Sequence, residues 1–168
     1  SDVHIVEIGG TVGDYEGLSF VEAIREFAGR VGRENCMYVH VVYVPFIGTS
    51  KEFKTKPAQN ALNELRGFGV MPDCVVVRSD DPAPGSIAGK ISLFSGVSED
   101  AVVLLANAST VFQVPLTIAA SGINDVLTRF TGNTSTPDLS KWERIVEAQS
   151  AAHERMVTIG LVAKYMDN

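Results

Sequence analysis

The sequence predicts an α/β fold, a mostly parallel sheet with helices on both faces. Two observations carry that prediction. Short apolar runs rich in β-branched residues alternate with stretches whose apolar residues recur every three or four positions, the order expected of βα units. One run, "DCVVVRS" (73–79), is apolar at both alternating sets of positions, as a strand covered by helices on both sides must be.

Each element follows from local pattern. Val3 to Ile8 reads as a first strand, with no signal peptide ahead of it. The missing initiator methionine leads us to expect a piece of a longer protein. After a glycine-rich turn, "LSFVEAIREFAGRVG" sets Phe20, Ile24, Phe27 and Val31 on one helical face, ending near Gly29 or Gly32. "CMYVHVVYVPF" is a second strand, stopped by Pro45, and "IGTSKEFKT" is a polar loop. "KPAQNALNELRGFG" is a helix with Pro57 in its first turn and Gly67 or Gly69 at its end.

The strand "DCVVVRS" and the loop "DDPAPG" come next, followed by a short helix, "SIAGKISLFSGV", with Ile87, Ile91 and Phe94 on one side. "DAVVLLANAS" supplies a fourth strand and "VPLTIAASGINDVLTRF" one or two closing helices. "TGNTSTPD" is a linker or loop, "LSKWERIVEAQSAA" an amphipathic helix, and "MVTIGLVAKY" a last strand pattern.

Composition narrows the function classes. Apolar residues make up 45% and charged residues 20% of 168 residues, a share that supports a substantial core. A net charge of −6 argues against a broad nucleic-acid footprint but not against a nucleotide held by a few lysines. No apolar run approaches the roughly 20 residues of a membrane span. Cys36 and Cys74 lie in apolar runs without CxxC spacing and read as reduced thiols of a cytoplasmic protein, with a disulfide or metal site as the alternative.

The turn "EIGGTVGDYEG" (7–17) is built like a phosphate loop yet carries three carboxylates and no lysine. It lacks the lysine of GxxxxGK[ST], and its glycines do not fit GxGxxG, so it does not cradle phosphate. Glu7, near the carboxyl end of a strand, is placed to bind Mg²⁺ directly or through water. Asp14 and Glu16 either cap the next helix or contact a ligand. In "KEFKTKPAQ" (51–59), Lys51, Lys54 and Lys56 form either a solvated basic loop or a phosphate clamp before a helix N-terminus. Lys90 and Phe94 stand one helical turn apart, a cation and an aromatic suited to a triphosphate and a base, with core packing the other reading of Phe94. His4, His40 and His153 fit no Ser-His-Asp or Cys-His arrangement.

Together, "EIGGTVGDYEG", "KEFKTKPAQ", "KISLF" and "LVAKY" resemble the CTP synthase family, in the same order and at matching separations. The resemblance implies a Rossmann-like, P-loop NTPase type fold, incomplete in this chain. Residues 1–132 correspond to the later part of the synthetase (amidoligase) domain, 133–155 to a linker with a helix, and 156–168 to the first strand of a glutamine amidotransferase domain. The family makes CTP from UTP, using ATP to phosphorylate the uracil O4 and ammonia, from glutamine, to displace that phosphate.

By resemblance Glu7 is a Mg²⁺ ligand. Asp14, Tyr15 and Glu16 lie at the pyrimidine nucleotide site, and Lys54, Thr55, Lys56, Pro57, Ala58 and Gln59 form the UTP and CTP segment. Lys90 contacts the nucleotide and Phe94 lies beside the base. Ala106, Asn107 and Ala108 lie near the adenine of ATP. The pyrimidine site is shared between subunits of a homotetramer. Glu16 is suited to sensing CTP, the feedback inhibitor, because a carboxylate accepts a hydrogen bond from an exocyclic amine.

Tyr15 stands where the family commonly has isoleucine, Ala58 where it has threonine, and Ala163 where it has glycine. Ala106 to Ala108 are also unlike the usual sequence. The Walker-type loop, another Mg²⁺-binding aspartate and the catalytic lysines belong upstream, and the glutaminase Cys-His-Glu set downstream. The isolated segment is therefore expected to form no CTP. The alternative of a different class is a non-catalytic nucleotide-binding or assembly module that retains the pyrimidine site.

Overall fold

The computed structural model of the protein describes residues 2–151 and 157–164. In chain order its elements are α1 (Leu18–Val31), β1 (Val39–Tyr43), β2 (Phe46–Ile47), β3 (Glu52–Phe53), α2 (Lys56–Gly67), β4 (Cys74–Ser79), α3 (Ser86–Ser95), β5 (Val102–Ala106), α4 (Val114–Ala120), α5 (Ile123–Thr131) and α6 (Ser140–Ser150). Strands β1, β4 and β5 form a parallel sheet in the order β1-β4-β5, with Val41 beside Val76 and Val76 beside Val103.

Partners in a parallel ladder point to the same face, so side chains sort by register. His40, Val42, Val75, Val77 and Val102 share one face. There α2 packs over β1 and against α3, and α3 packs over β5. The buried positions of α2 are Ala58, Leu62 and Leu65, spaced for one helical face, and those of α3 include Ile87 and Ile91. The other face carries Cys74, Val76 and Val103, which belong to the same core cluster as Val126 of α5. Helices thus lie on both faces, and β4, the central strand, is buried on both. On β1, Val39, Val41 and Tyr43 remain exposed.

Local chemistry sets the helix ends. Pro57 sits in the first turn of α2, where its missing N–H costs nothing. Gly96 ends α3 and Gly132 ends α5 at φ 74° and 70°, a left-handed conformation that glycine adopts without Cβ strain. Helix α1 ends at Gly32 and packs Val21 against Leu65 and Val70. Arg33 then ties the chain to the start of β4. Its guanidinium donates to both oxygens of Asp73 at 2.8 Å and lies 4.5 Å over the Tyr38 ring. Near the far end of the chain, Trp142 of α6 meets Phe112, with ring centroids 6.2 Å apart.

Five expectations are corrected. Val3 to Ile8 is not a strand, and Ile5 is 88% exposed. A strand needs a neighbour for its N–H and C=O groups, and among the described residues no strand pairs with this segment. The stripe Phe20, Phe27 and Val31 of α1 faces outward, and Val21 and Ala28 are the buried residues instead. Phe94 is also exposed rather than aligned with Ile87 and Ile91 in the core. The polar loop 47–55 contains most of a small antiparallel hairpin, β2 with β3, whose Phe46 and Phe53 rings lie 5.1 Å apart. Of the last strand pattern, residues 157–164 form no strand, and 156 and 165–168 lie outside the described residues.

Both cysteines are free thiols, and burial pushes Cys74 up to about 11. His40 is 9% exposed, its Nε2 has no hydrogen-bond partner among the described residues, and burial lowers its pKa from 6.5. Above pH 6.5 His40 is neutral in both states. Below it the unfolded chain takes up a proton that the folded one refuses, so stability falls as pH falls, by up to about 1.4 kcal/mol per unit. Urea midpoints compared between pH 7 and pH 5.5 should drop in the wild type and drop less in His40→Gln. Equal drops would mean that His40 titrates normally in the fold.

Candidate nucleotide-binding site

The polar side chains that can serve a ligand gather at the carboxyl edge of the sheet. After β1 the chain turns at Pro45, and the hairpin returns so that the Lys54 N–H donates to the Pro45 carbonyl at 2.9 Å. Lys51 takes a positive φ of 51° in the turn between β2 and β3. Lys54 pairs with Glu52. Hydrogen bonds from Lys54 and Ser50, and the charges of Lys54 and Lys90, hold the Glu52 carboxyl below its usual range. Lys54 of the hairpin is thus paired with Glu52, and the charge of Lys90 of α3 is felt at the same carboxylate. The two lysines lie 36 apart in sequence.

Beside them is the N-terminus of α2. Thr55 stands at the N-cap without a side-chain cap, leaving first-turn N–H groups open to an anion. Thr55 and its neighbours divide into two groups. Lys54, Lys56 and Pro57 are exposed. Ala58 is enclosed in the core, and Gln59 is buried with its amide donating to Thr55 Oγ1 at 3.0 Å. Phe94 is exposed one turn beyond Lys90, and its carbonyl accepts from Arg66 at 2.6 Å.

Ala106 ends β5, and Asn107 and Ala108 follow it along the same edge. The Asn107 N–H donates to the Ser79 carbonyl at 2.8 Å. Its side chain accepts from Arg78 at 2.6 Å and donates to Asp80 at 2.8 Å, and Tyr43 also donates to Asp80. Sequence reasoning missed Glu52, Tyr43, Arg78 and Asp80. The signals for two of them were present: an arginine inside the apolar run "DCVVVRS", and an aspartate directly after it.

The acidic loop lies elsewhere. Asp14 accepts from the Thr11 N–H at 3.2 Å, and its carbonyl accepts from the Gly17 N–H at 2.9 Å, so it braces the loop on itself. Neither Asp14 nor Glu16 caps α1, whose N-cap is Gly17. Gly13, at φ 100°, presses on α2, and a Cβ there would lie 1.8 Å from Glu64 Oε1. Glu64 is eight residues beyond Lys56, about 12 Å along the helix. The loop encloses a pocket of about 250 Å³ lined by Gly9, Gly10, Asp14, Glu16, Gly17 and Phe20. Glu7 and Tyr15 are exposed near it. Within one chain, the acids and the lysines do not converge.

No group of three or more His, Cys, Asp or Glu side chains able to hold a metal occurs among the described residues. Glu7 alone fits an ion such as Mg²⁺, which takes one or two carboxylates and completes its shell with water and substrate phosphate.

A parallel sheet between helices, with its polar groups gathered past the carboxyl ends of the strands, defines an α/β domain of the Rossmann-like, P-loop NTPase type. The sequence profile described as CTP synthase N-terminus matches residues 1–132, and the chain belongs to the CTP synthase family. It is 42% identical over 167 residues to the CTP synthase of Thermomicrobium roseum, covering 99% of this chain and 30% of that protein. It is 45% identical over 166 residues to that of Carboxydothermus hydrogenoformans, covering 98% and 31%. With the CTP synthase of Methanococcus maripaludis the identity is 43% over 168 residues, covering 99% and 31%. The chain therefore spans about 30% of the length of these relatives. No helix among the described residues is long and apolar enough to cross a membrane.

Proposed function

We propose that this chain supplies the pyrimidine nucleotide site and part of the ATP site of a CTP synthase. The enzyme converts UTP to CTP with ATP and glutamine or ammonia through a 4-phosphorylated UTP. The observation that carries the reading is the exposed pair Lys54 and Lys56 on either side of Thr55 at the uncapped N-terminus of α2, within a chain of this family. Lys54, Lys56 and Lys90 neutralise the triphosphate, and the first-turn N–H groups of α2 add directed donors. Glu52 holds Lys54 near that position before the nucleotide arrives, and Phe94 offers an exposed ring to the base.

Mg²⁺ held by Glu7 would lower the charge on the transferring phosphate. Asp14 to Glu16 present acceptors and a phenol to the pyrimidine. About 12 Å of helix separates their contact on α2 from Lys56. That separation supports a site completed by a second subunit, the acids of one chain facing the lysines of another in a homotetramer. The outward stripe of Phe20, Phe27 and Val31 on α1 supplies apolar surface for such a contact.

In the full-length enzyme, Lys90→Ala should raise the KM for UTP roughly tenfold or more, the usual cost of a lost charge-assisted bond to phosphate. The KM for ATP should stay within twofold. An unchanged KM for UTP would remove Lys90 from the site, and a full-length protein that binds CTP without turnover would establish a binding module instead.

A further inference from the structure

We propose that Asp80 is a positioning residue that locks the carboxyl ends of all three sheet strands into one surface for ATP. This rests on the reading of Ala106 to Ala108 as the segment nearest ATP. Asp80 lies one residue past β4, between the ends of β1 and β5. Its two oxygens go to different strands. Tyr43, the last residue of β1, donates its hydroxyl to Oδ2, and Asn107, just beyond β5, donates its amide to Oδ1 at 2.8 Å. The carbonyl of the same Asn107 side chain accepts from Arg78 of β4 at 2.6 Å.

Counting donors and acceptors shows what the arrangement does. The Asn107 side chain uses both of its ends within the network, and its backbone N–H is spent on Ser79. Asn107 is therefore a bridge. What remains to face a ligand is one N–H of the Asn107 amide, the rest of the Arg78 guanidinium, which has five N–H donors, and the backbone of 106–108. Asp80 makes the arrangement directional. As a carboxylate it only accepts, so it turns the NH₂ end of Asn107 toward itself and the carbonyl end toward Arg78. Accepting from Tyr43, it also raises that phenol above its usual range and keeps it a donor.

Without Asp80, the Asn107 amide is free to flip and turn its carbonyl away from Arg78, and the side-chain tie between the ends of β1 and β5 is lost, leaving only the backbone ladder and the Asn107 N–H bond to Ser79. The chemistry left is that of a surface loop, in which ordering must be supplied on binding. The cost falls on binding of the nucleotide rather than on the chemical step.

The test uses the full-length enzyme. Asp80→Ala should raise the KM for ATP about tenfold, with kcat at saturating ATP and the KM for UTP within twofold, as expected when only uniform binding is lost. Asp80→Asn retains one acceptor oxygen and should fall between the wild type and Asp80→Ala. Tyr43→Phe removes only an exposed hydroxyl and should raise the KM for ATP about twofold without lowering the melting temperature. An unchanged KM for ATP in Asp80→Ala, or KM values for both nucleotides rising together with a lowered melting temperature, would overturn the positioning role. Photolabelling of the wild type with 8-azido-ATP tests the underlying reading separately. Label at residues 106–108 supports it, and label confined to other segments of the enzyme sinks it whatever Asp80 does.

Discussion

Glu7→Gln in the full-length enzyme is expected to lower CTP formation by about two to three orders of magnitude, the usual loss when one element of electrostatic stabilisation is removed from a phosphoryl-transfer site. The substitution keeps shape and hydrogen-bonding capacity and removes only the charge. Glu7 suits the role because its carboxylate is exposed beside a glycine-rich turn, where an ion can reach it. Raising Mg²⁺ should recover part of the loss, moving the midpoint of Mg²⁺ activation upward. Initial rates measured across a Mg²⁺ titration give both quantities. An unaltered rate and midpoint would take Glu7 out of metal binding.

The second large effect is on stability. Leu62 is 1% exposed on α2, where that helix lies between β1 and α3. Leu62→Ala removes its buried methyl groups and leaves a cavity that two helices and a sheet cannot close, at a cost of about 3 kcal/mol. The neighbouring Asn63 is exposed, and Asn63→Ala should change stability by no more than about 0.5 kcal/mol. Urea unfolding of the two variants beside the wild type makes the comparison. A loss below about 1 kcal/mol for Leu62→Ala would mean that α2 is not packed on the sheet in solution. Because α2 starts at Lys56, a loosened helix would also weaken UTP binding, so stability should fall and the KM for UTP rise together in this variant, whereas Lys90→Ala should raise the KM alone.

How much of this was legible beforehand depends on the range of the interactions. The ends of α2 follow from Pro57 in its first turn and from Gly67 or Gly69 at its end, signals that lie within the helix or just past it. Strand β4 follows from an apolar run at both faces. The lysine cluster before α2 was visible as a cluster, and its hairpin was not. Phe46 and Phe53 reach each other only because the intervening turn closes. The two readings of Phe94 could not be separated by spacing, since a helix of ten residues has room for both a core face and a ligand face.

The sequence by itself determined the α/β class, the order of the helices and of the sheet strands, and the family, because periodicity and short motifs are local properties of the chain. Tertiary structure decided the rest. It showed that Val3 to Ile8, a strand by pattern, has no strand to pair with among the described residues, and that the aromatic stripe of α1 faces outward. It also joined Tyr43 to Asp80 and Arg78 to Asn107 across separations of 37 and 29 residues. The reason is physical. A helix closes its hydrogen bonds four residues away, whereas a strand and a site at its end depend on partners that only the folded chain brings near.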